Sequence, residues 1–219
     1  MKLYSYYRSS TSYRVRIALN IKQLAYNIVP VNLKTGEQHQ PPLTDLNPHG
    51  TLPVLLTGTT PLVQSLAIID WIEERYPEPP LIPERDKGAS DVRQLCLELY
   101  YAIATEIHAP NNLPVLNYLR NELDADDTKI AAWYAKWIGK TFAPIEQKLQ
   151  SFSWRSPDLP FGQPSLFEIA LIPQIYNAQR WQTDLSNYPL LTAIHAYATR
   201  LPAFIAAHPD NQPDAPEVK

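Results

Sequence analysis

Between residues 10 and 22 the apolar positions Val15, Ile17, Ala18, Leu19 and Ile21 recur at spacings of three and four, the period of a helix with an apolar face. Residues 2–6 before it and 26–31 after it read as strands, so the chain opens β-α-β, an order that implies parallel strands. Residues 52–56 and 61–64 flank the turn Thr57-Gly58-Thr59-Thr60 and predict an antiparallel hairpin. Ser65 then caps a helix whose apolar face is Leu66, Ile69, Trp71 and Ile72, ending at Arg75-Tyr76 before Pro77. The pattern to this point is β-α-β-β-α.

The Pro-rich stretch 77–83 is a stiff extended linker, and the domain boundary is placed there, giving domains over 1–80 and 86–210. Beyond it strand signals almost vanish. Helical patterns over 87–109, 114–122, 127–150, 165–181 and 189–200 predict an all-α bundle. Ser165 and Glu168 have the Ser-x-x-Glu spacing of a capping box, which reads as a helix start and not as a catalytic pair. The tail over 209–219, rich in Pro, Asp and other polar residues, buries little surface and is expected to be loosely held.

With 219 residues, 45% of them hydrophobic, the chain can bury a large core. A net charge of -3 and no long Lys/Arg block argue against nucleic acid. No run approaches the ~20 apolar residues of a membrane span, and residues 1–5 lack an apolar leader, so a cytoplasmic location is expected. Cys96, the single cysteine, permits no internal disulfide; between Leu95 and Leu97 it reads as a buried structural thiol. One Cys and scattered His residues supply no metal-ligand spacing, so no metal is expected.

The chemistry concentrates where the first strand turns into the first helix, at Ser9-Ser10-Thr11-Ser12. At a helix N-terminus the first amide N–H groups lack intrahelical acceptors and the macrodipole is positive, so a bound thiolate or carboxylate is stabilised. A plain N-cap explains one of these hydroxyls equally well.

The run from Tyr4 through Arg8-Ser9-Ser10-Thr11-Ser12-Tyr13-Arg14-Val15-Arg16 to Leu19 is similar to the zeta class of glutathione transferases, the maleylacetoacetate and maleylpyruvate isomerases, whose signature reads Ser-Ser-Cys-x-Trp-Arg-Val-Arg. Asn47-Pro48, Gln64-Ser65-Leu66-Ala67-Ile68-Ile69, Asn111-Asn112-Leu113, Ile172-Pro173-Gln174 and Tyr188-Pro189 match in the same order, so the resemblance covers nearly the whole chain. Thr11 departs from it, standing where most zeta members carry cysteine and resembling some bacterial maleylpyruvate-type isomerases. The resemblance implies an α/β thioredoxin-like N-terminal domain followed by an all-α helical C-terminal domain. It also implies glutathione as cofactor, a dicarboxylate or diketo-acid substrate, and a homodimer.

Carried over by residue, the resemblance makes Ser10 the hydroxyl nearest the glutathione sulfur, with Ser9 and Thr11 assisting. Gln64 and Ser65 resemble the clamp for the γ-glutamyl carboxylate. Leu52 would pair by backbone with the cysteinyl portion, because Pro53 resembles the family's cis-proline. Gln38 resembles the glycyl-end contact, while His39 beside it is expected to face solvent. His108 and Asn112 match positions lining the family's cleft, and a structural role for His108 remains the alternative. Arg8 and Arg180 could hold substrate carboxylates bidentately, converging across the domain interface; for Arg180 a helix-end charge is the alternative. Of Arg14 and Arg16, one is expected to be a structural ion-pair residue. These assignments imply a glutathione-dependent cis–trans isomerase of maleyl diketo acids. Two alternatives stay open: a transferase conjugating glutathione to small electrophiles, and a non-catalytic glutathione-binding module.

Overall fold

Four short strands form one sheet in the order β2-β1-β3-β4, with β1 at Lys2–Ser5, β2 at Asn27–Pro30, β3 at Val54–Thr57 and β4 at Thr60–Val63. β1 runs parallel to β2 and antiparallel to β3, so Leu3 sits between Ile28 and Leu55; β3 and β4 make the expected hairpin, pairing Val54 with Val63. Helix α1 (Ser10–Ile21) connects β1 to β2, a 3-10 turn (Glu37–His39) and the short α2 (Leu43–Leu46) follow β2, and α3 (Ser65–Arg75) follows β4. The β-α-β-β-α order is as read from the sequence.

The computed structural model describes residues 1–84 and 92–216. The chain divides into two units, Met1–Leu81 together with the segment from Arg200 onward, and Ile82–Thr199. The expected boundary at 86 and the expected helix start at 87 lie outside the described residues. At the other end the division differs from the 86–210 range, because helix α9 (Pro202–Ala207) returns to pack on α1 in the first unit.

α1 is not the amphipathic helix its apolar spacing suggests: every residue from Ser12 to Leu19 is buried, Arg14 and Arg16 included. A guanidinium can be buried only if its donors are met, and Arg16 shows how. Its Nε donates to the Ala207 carbonyl at 3.0 Å, one terminal nitrogen to Ser5 Oγ at 3.0 Å and the other to the Tyr7 carbonyl at 3.0 Å. These acceptors come from β1, the loop after it, and α9. Asn20 adds a bond from Nδ2 to the Ala203 carbonyl at 3.0 Å. At the far end of α1 the buried Lys22 reaches Glu73 at 2.6 Å and the carbonyls of Pro77 and Pro79 at 3.1 and 2.7 Å, pinning the start of the Pro-rich linker.

The tail is held as far as it is described. A 3-10 turn at Pro209–Asn211 follows α9, and buried Gln212 donates from Nε2 to the carbonyls of Ala206 and His208 at 3.0 and 2.8 Å. The expectation of a loose tail fails because its polar side chains close backbone groups left open at the end of a helix.

The second unit is helical: α4 (Val92–Ala102), a π turn (Ile103–Ile107), α5 (Leu113–Glu122), α6 (Asp127–Ser151), α7 (Leu166–Arg180) and α8 (Pro189–Ala198). Side chains cap these helices. Asn112 accepts the Val115 amide, Asp126 the Lys129 amide, and buried Glu146 of α6 accepts the Leu190 and Leu191 amides at the start of α8 at 2.8 and 3.1 Å. The predicted capping box is present on α7, with Glu168 accepting from the Ser165 amide at 2.7 Å and the Ser165 hydroxyl at 2.6 Å. Cys96 is buried as expected, its Sγ donating to Ser165 Oγ at 3.6 Å, and burial pushes the thiol up to about 12.

Two outcomes are expected. Arg16→Lys keeps the charge but cannot serve three divergent acceptors, and should lower unfolding free energy by about 2–4 kcal/mol in urea titrations. Burial raises the Glu168 carboxyl to about 7. The folded chain then holds that proton more tightly than the unfolded one, so its stabilising contribution is fullest below the ordinary glutamate range and declines as pH rises to about 7. Glu168→Gln should remove that decline, seen as a shallower fall of stability with pH across this window than in the wild type.

Candidate active site

The register of the sheet collects the marked residues of the first unit at one end. β1 and β4 run the same way, so their C-terminal ends, leading into Ser9-Ser10-Thr11 and into Gln64-Ser65, share an edge. β3 runs oppositely, which brings Leu52-Pro53, just before its first residue, to that same edge. The Leu52–Pro53 peptide is cis, as the resemblance implied. Asn47 shapes the loop that leads there, donating from Nδ2 to the Thr51 carbonyl at 2.9 Å and accepting the His49 amide at 3.2 Å.

Ser9 is the N-cap of α1, its Oγ accepting the Ser12 amide at 3.2 Å. Thr11 Oγ1 lies 2.9 Å from Ser9 Oγ and 3.1 Å from the Leu52 carbonyl oxygen. A carbonyl only accepts, so Thr11 donates to Leu52, and Ser9 must donate to Thr11. Each hydroxyl has one proton, and both protons are committed. Ser9 and Thr11 thus form a relay fastening the helix start to the loop before β3. Both hydroxyls are engaged within the protein in this arrangement. Ser10, the first residue of α1, is half-buried at the same helix end.

Gln64 adopts φ 67 and ψ 113, a left-handed φ that is costly for a residue with a side chain. It places the start of α3 at the shared edge, where Gln64 makes no side-chain cap and Ser65 sits buried at the positive helix end. Gln38, buried in the 3-10 turn, has a buried Oε1 with no hydrogen-bond partner. The turn lies against Gly50, where a Cβ would meet His39 Nδ1 at 2.6 Å and the Gln38 carbonyl at 3.1 Å; His39 itself is exposed, as expected. Arg8, half-buried, lies with its guanidinium 5.9 Å from the Tyr6 ring centre and 5.4 Å from that of Tyr7. Its Nε is buried without a hydrogen-bond partner. Burial raises the Tyr7 phenol, with the neighbouring Arg8 charge opposing. The edge thus offers two helix N-termini, an unpartnered buried acceptor and a guanidinium, a set suited to a peptide-like anion with a thiol.

In the second unit, His108 follows the π turn and is half-buried, its amide donating to the Ile103 carbonyl at 3.3 Å. Asn112, expected beside the cofactor, has its Oδ1 engaged as the α5 cap. Asn111 braces the same loop from Nδ2 to the Ile107 carbonyl at 2.8 Å, and its own carbonyl accepts the Tyr134 hydroxyl at 3.1 Å. Tyr134 stacks on Trp181 at 5.2 Å, just beyond α7, and burial raises its phenol while Arg180 opposes. Arg180 is exposed, 6.0 Å from the Tyr176 ring. His108, Asn112 and Arg180 therefore share one end of this unit, while Arg8 belongs to the other unit. Among the described residues no cluster of three or more His, Cys, Asp and Glu could hold a metal, and no helix is long and apolar enough to cross a membrane.

Sequence reading missed the π turn before His108 and the second use of Thr11. A hydrogen bond between Thr11 and Leu52 spans 41 positions and leaves no local signature.

Comparison with known proteins follows the same lines. Residues 3–80 match the model of the glutathione S-transferase N-terminal domain family. A probable maleylacetoacetate isomerase of Vibrio cholerae is 46% identical, covering 97% of each chain. A holo structure of a maleyl pyruvate isomerase, described as a bacterial zeta-class glutathione S-transferase, superposes with a TM-score of 0.94 at 40% identity over 99% of this chain and 100% of that one. A maleylacetoacetate isomerase of Anaeromyxobacter dehalogenans, solved with dicarboxyethyl glutathione and citrate in its active site, has a TM-score of 0.82 at 35% identity over 98% and 97% of the two chains.

Thr11→Val, which keeps shape but strands the Ser9 proton and the Leu52 carbonyl, should destabilise the chain by about 1–2 kcal/mol in denaturant titration. Thr11→Ser should retain most of that.

Proposed function

We propose, for a chain that belongs to the glutathione S-transferase family in its zeta class, a glutathione-dependent cis–trans isomerase that converts maleyl diketo acids, maleylacetoacetate or maleylpyruvate, to their fumaryl isomers. The observation that carries it is the meeting of two helix N-termini and the Leu52-Pro53 backbone at one end of the sheet, in a chain similar throughout to isomerases of that name.

Bound glutathione would supply a thiolate that adds to the cis double bond, lets the resulting single bond rotate, and leaves on elimination, so that it is regenerated. The chain's part is binding and charge. Ser10 and the first amides of α1 favour the thiolate over the thiol, as donors at a positive helix end do. Ser65 and the uncapped start of α3 receive the γ-glutamyl carboxylate beside Gln64. Leu52 meets the cysteinyl portion through its backbone, and the unpartnered Oε1 of Gln38 accepts from the glycyl N–H. Ser9 and Thr11 act one step back, fixing the helix start to the Leu52 loop. Arg8 anchors a substrate carboxylate and opposes the negative charge that develops on the keto oxygen during addition. The resemblance assigns His108 and Asn112 to the cofactor and Arg180 to a second carboxylate. The dicarboxyethyl glutathione in the Anaeromyxobacter relative is an adduct of the kind this chemistry passes through. We further propose that the protein is cytoplasmic and a homodimer, the latter tested by light scattering of the purified chain.

Ultraviolet absorbance of maleylpyruvate and of maleylacetoacetate, each with and without glutathione, tests the reaction. Glutathione-dependent conversion is expected, and the faster compound identifies the substrate. No conversion of either by protein shown to bind glutathione would contradict the reading. Arg8→Ala should lower kcat/KM for the diketo acid by about 100-fold. Arg180→Ala should impair isomerisation, whereas a general conjugating transferase would lose little with it.

A further inference from the structure

The loop that carries Arg8 is held by a residue near the other end of the chain. β1 ends at Ser5, so the Tyr7 amide has no sheet partner; it donates instead to Asp214 Oδ2 at 2.9 Å, across 207 positions of sequence. The Tyr7 carbonyl accepts from Arg16 at 3.0 Å. The peptide groups on both sides of Tyr7 are thereby fixed, and Arg8 follows with its guanidinium over the Tyr6 and Tyr7 rings. Asp214 is itself placed by a braced turn. The Ala215 amide donates to the Gln212 carbonyl at 3.0 Å, Gln212 is tied to Ala206 and His208, and α9 is tied to α1 through Arg16 and Asn20.

The second oxygen of Asp214 is buried and has no hydrogen-bond partner. A part-buried carboxylate with one buried oxygen unmet is an expensive way to meet one amide that an ordinary carbonyl could serve. A carboxylate bonds an amide more strongly than a neutral acceptor does, which suits a loop whose geometry must be held closely.

We propose that Asp214 is a positioning residue for Arg8, and that the C-terminal segment is a strap that sets the direction of this guanidinium for a substrate carboxylate. The inference rests on the reading of Arg8 above. It requires that loosening the strap weaken carboxylate recognition while leaving glutathione binding, which uses α1, the Leu52 loop and α3, in place.

The test compares full-length wild type, Asp214→Ala and Asp214→Asn by three measurements. Hydrogen exchange at the Tyr7 amide reads the strap itself and should accelerate by at least about tenfold in Asp214→Ala while α1 stays protected. Steady-state kinetics should show KM for the diketo acid raised about tenfold with KM for glutathione unchanged, and Asp214→Asn, which keeps a carbonyl acceptor, should restore most of the difference. Calorimetric titration of maleate into the glutathione-loaded protein should show the same loss of affinity in Asp214→Ala. Unchanged Tyr7 exchange in Asp214→Ala would overturn the proposal. So would equal losses for both substrates, or for stability alone, which would make the strap merely structural, and so would a wild type that does not bind maleate. A wild type that binds maleate in an Asp214-dependent way but isomerises neither diketo acid would retire the proposed reaction and leave the strap standing.

Discussion

The first unit depends on one buried guanidinium. Arg16 lies on a helix closed in on every side, and its three hydrogen bonds reach the end of β1, the loop beyond it and the last residue of α9. A chain that leaves this unit for 118 residues and returns needs a reason to return, and the apolar face of α9 supplies only part of it. Arg16 supplies direction, because a planar fork with fixed donors admits few arrangements of its acceptors.

The same economy governs the site edge. Four hydroxyls in a row suggest four donors, yet counting protons shows that Ser9 and Thr11 are used up in joining α1 to the Leu52 loop. The place where most zeta members carry cysteine is occupied here by a residue that ties two pieces of backbone together. The α3 end is built the opposite way, with Gln64 in a strained conformation and making no side-chain cap. One helix end is tightened by its cap and the other carries no side-chain cap, and the chemistry proposed for each follows: a sulfur needing a fixed geometry, and a carboxylate needing helix-end donors.

Much of this was legible in the residues. Apolar spacing and turn residues placed β1 to β4, α1 and α3, and the Ser-x-x-Glu spacing around Ser165 placed the start of α7, because these signals are local. The order of short motifs from Ser9 to Tyr188 pointed to the family. What escaped is what depends on distant partners. α1 looked amphipathic because its apolar spacing marks one face, while the burial of Arg14 and Arg16 depends on what surrounds the helix. Residues 202–207 gave no helix signal, as Pro202 both follows α8 and starts α9. The tail read as loose because Gln212 and Asp214 look like solvated polar residues, whereas each closes backbone groups elsewhere.

The central claim is that this edge of the sheet binds glutathione as its thiolate. Titrating the thiolate absorbance of glutathione bound to the wild type, Ser10→Ala and Thr11→Ser tests it directly. The account predicts an apparent thiol pKa in the wild type at least about one unit below the ~8.5 of a free thiol, raised by Ser10→Ala and little moved by Thr11→Ser. A bound thiol that titrates as in free solution in the wild type, or one as sensitive to Thr11→Ser as to Ser10→Ala, would contradict it.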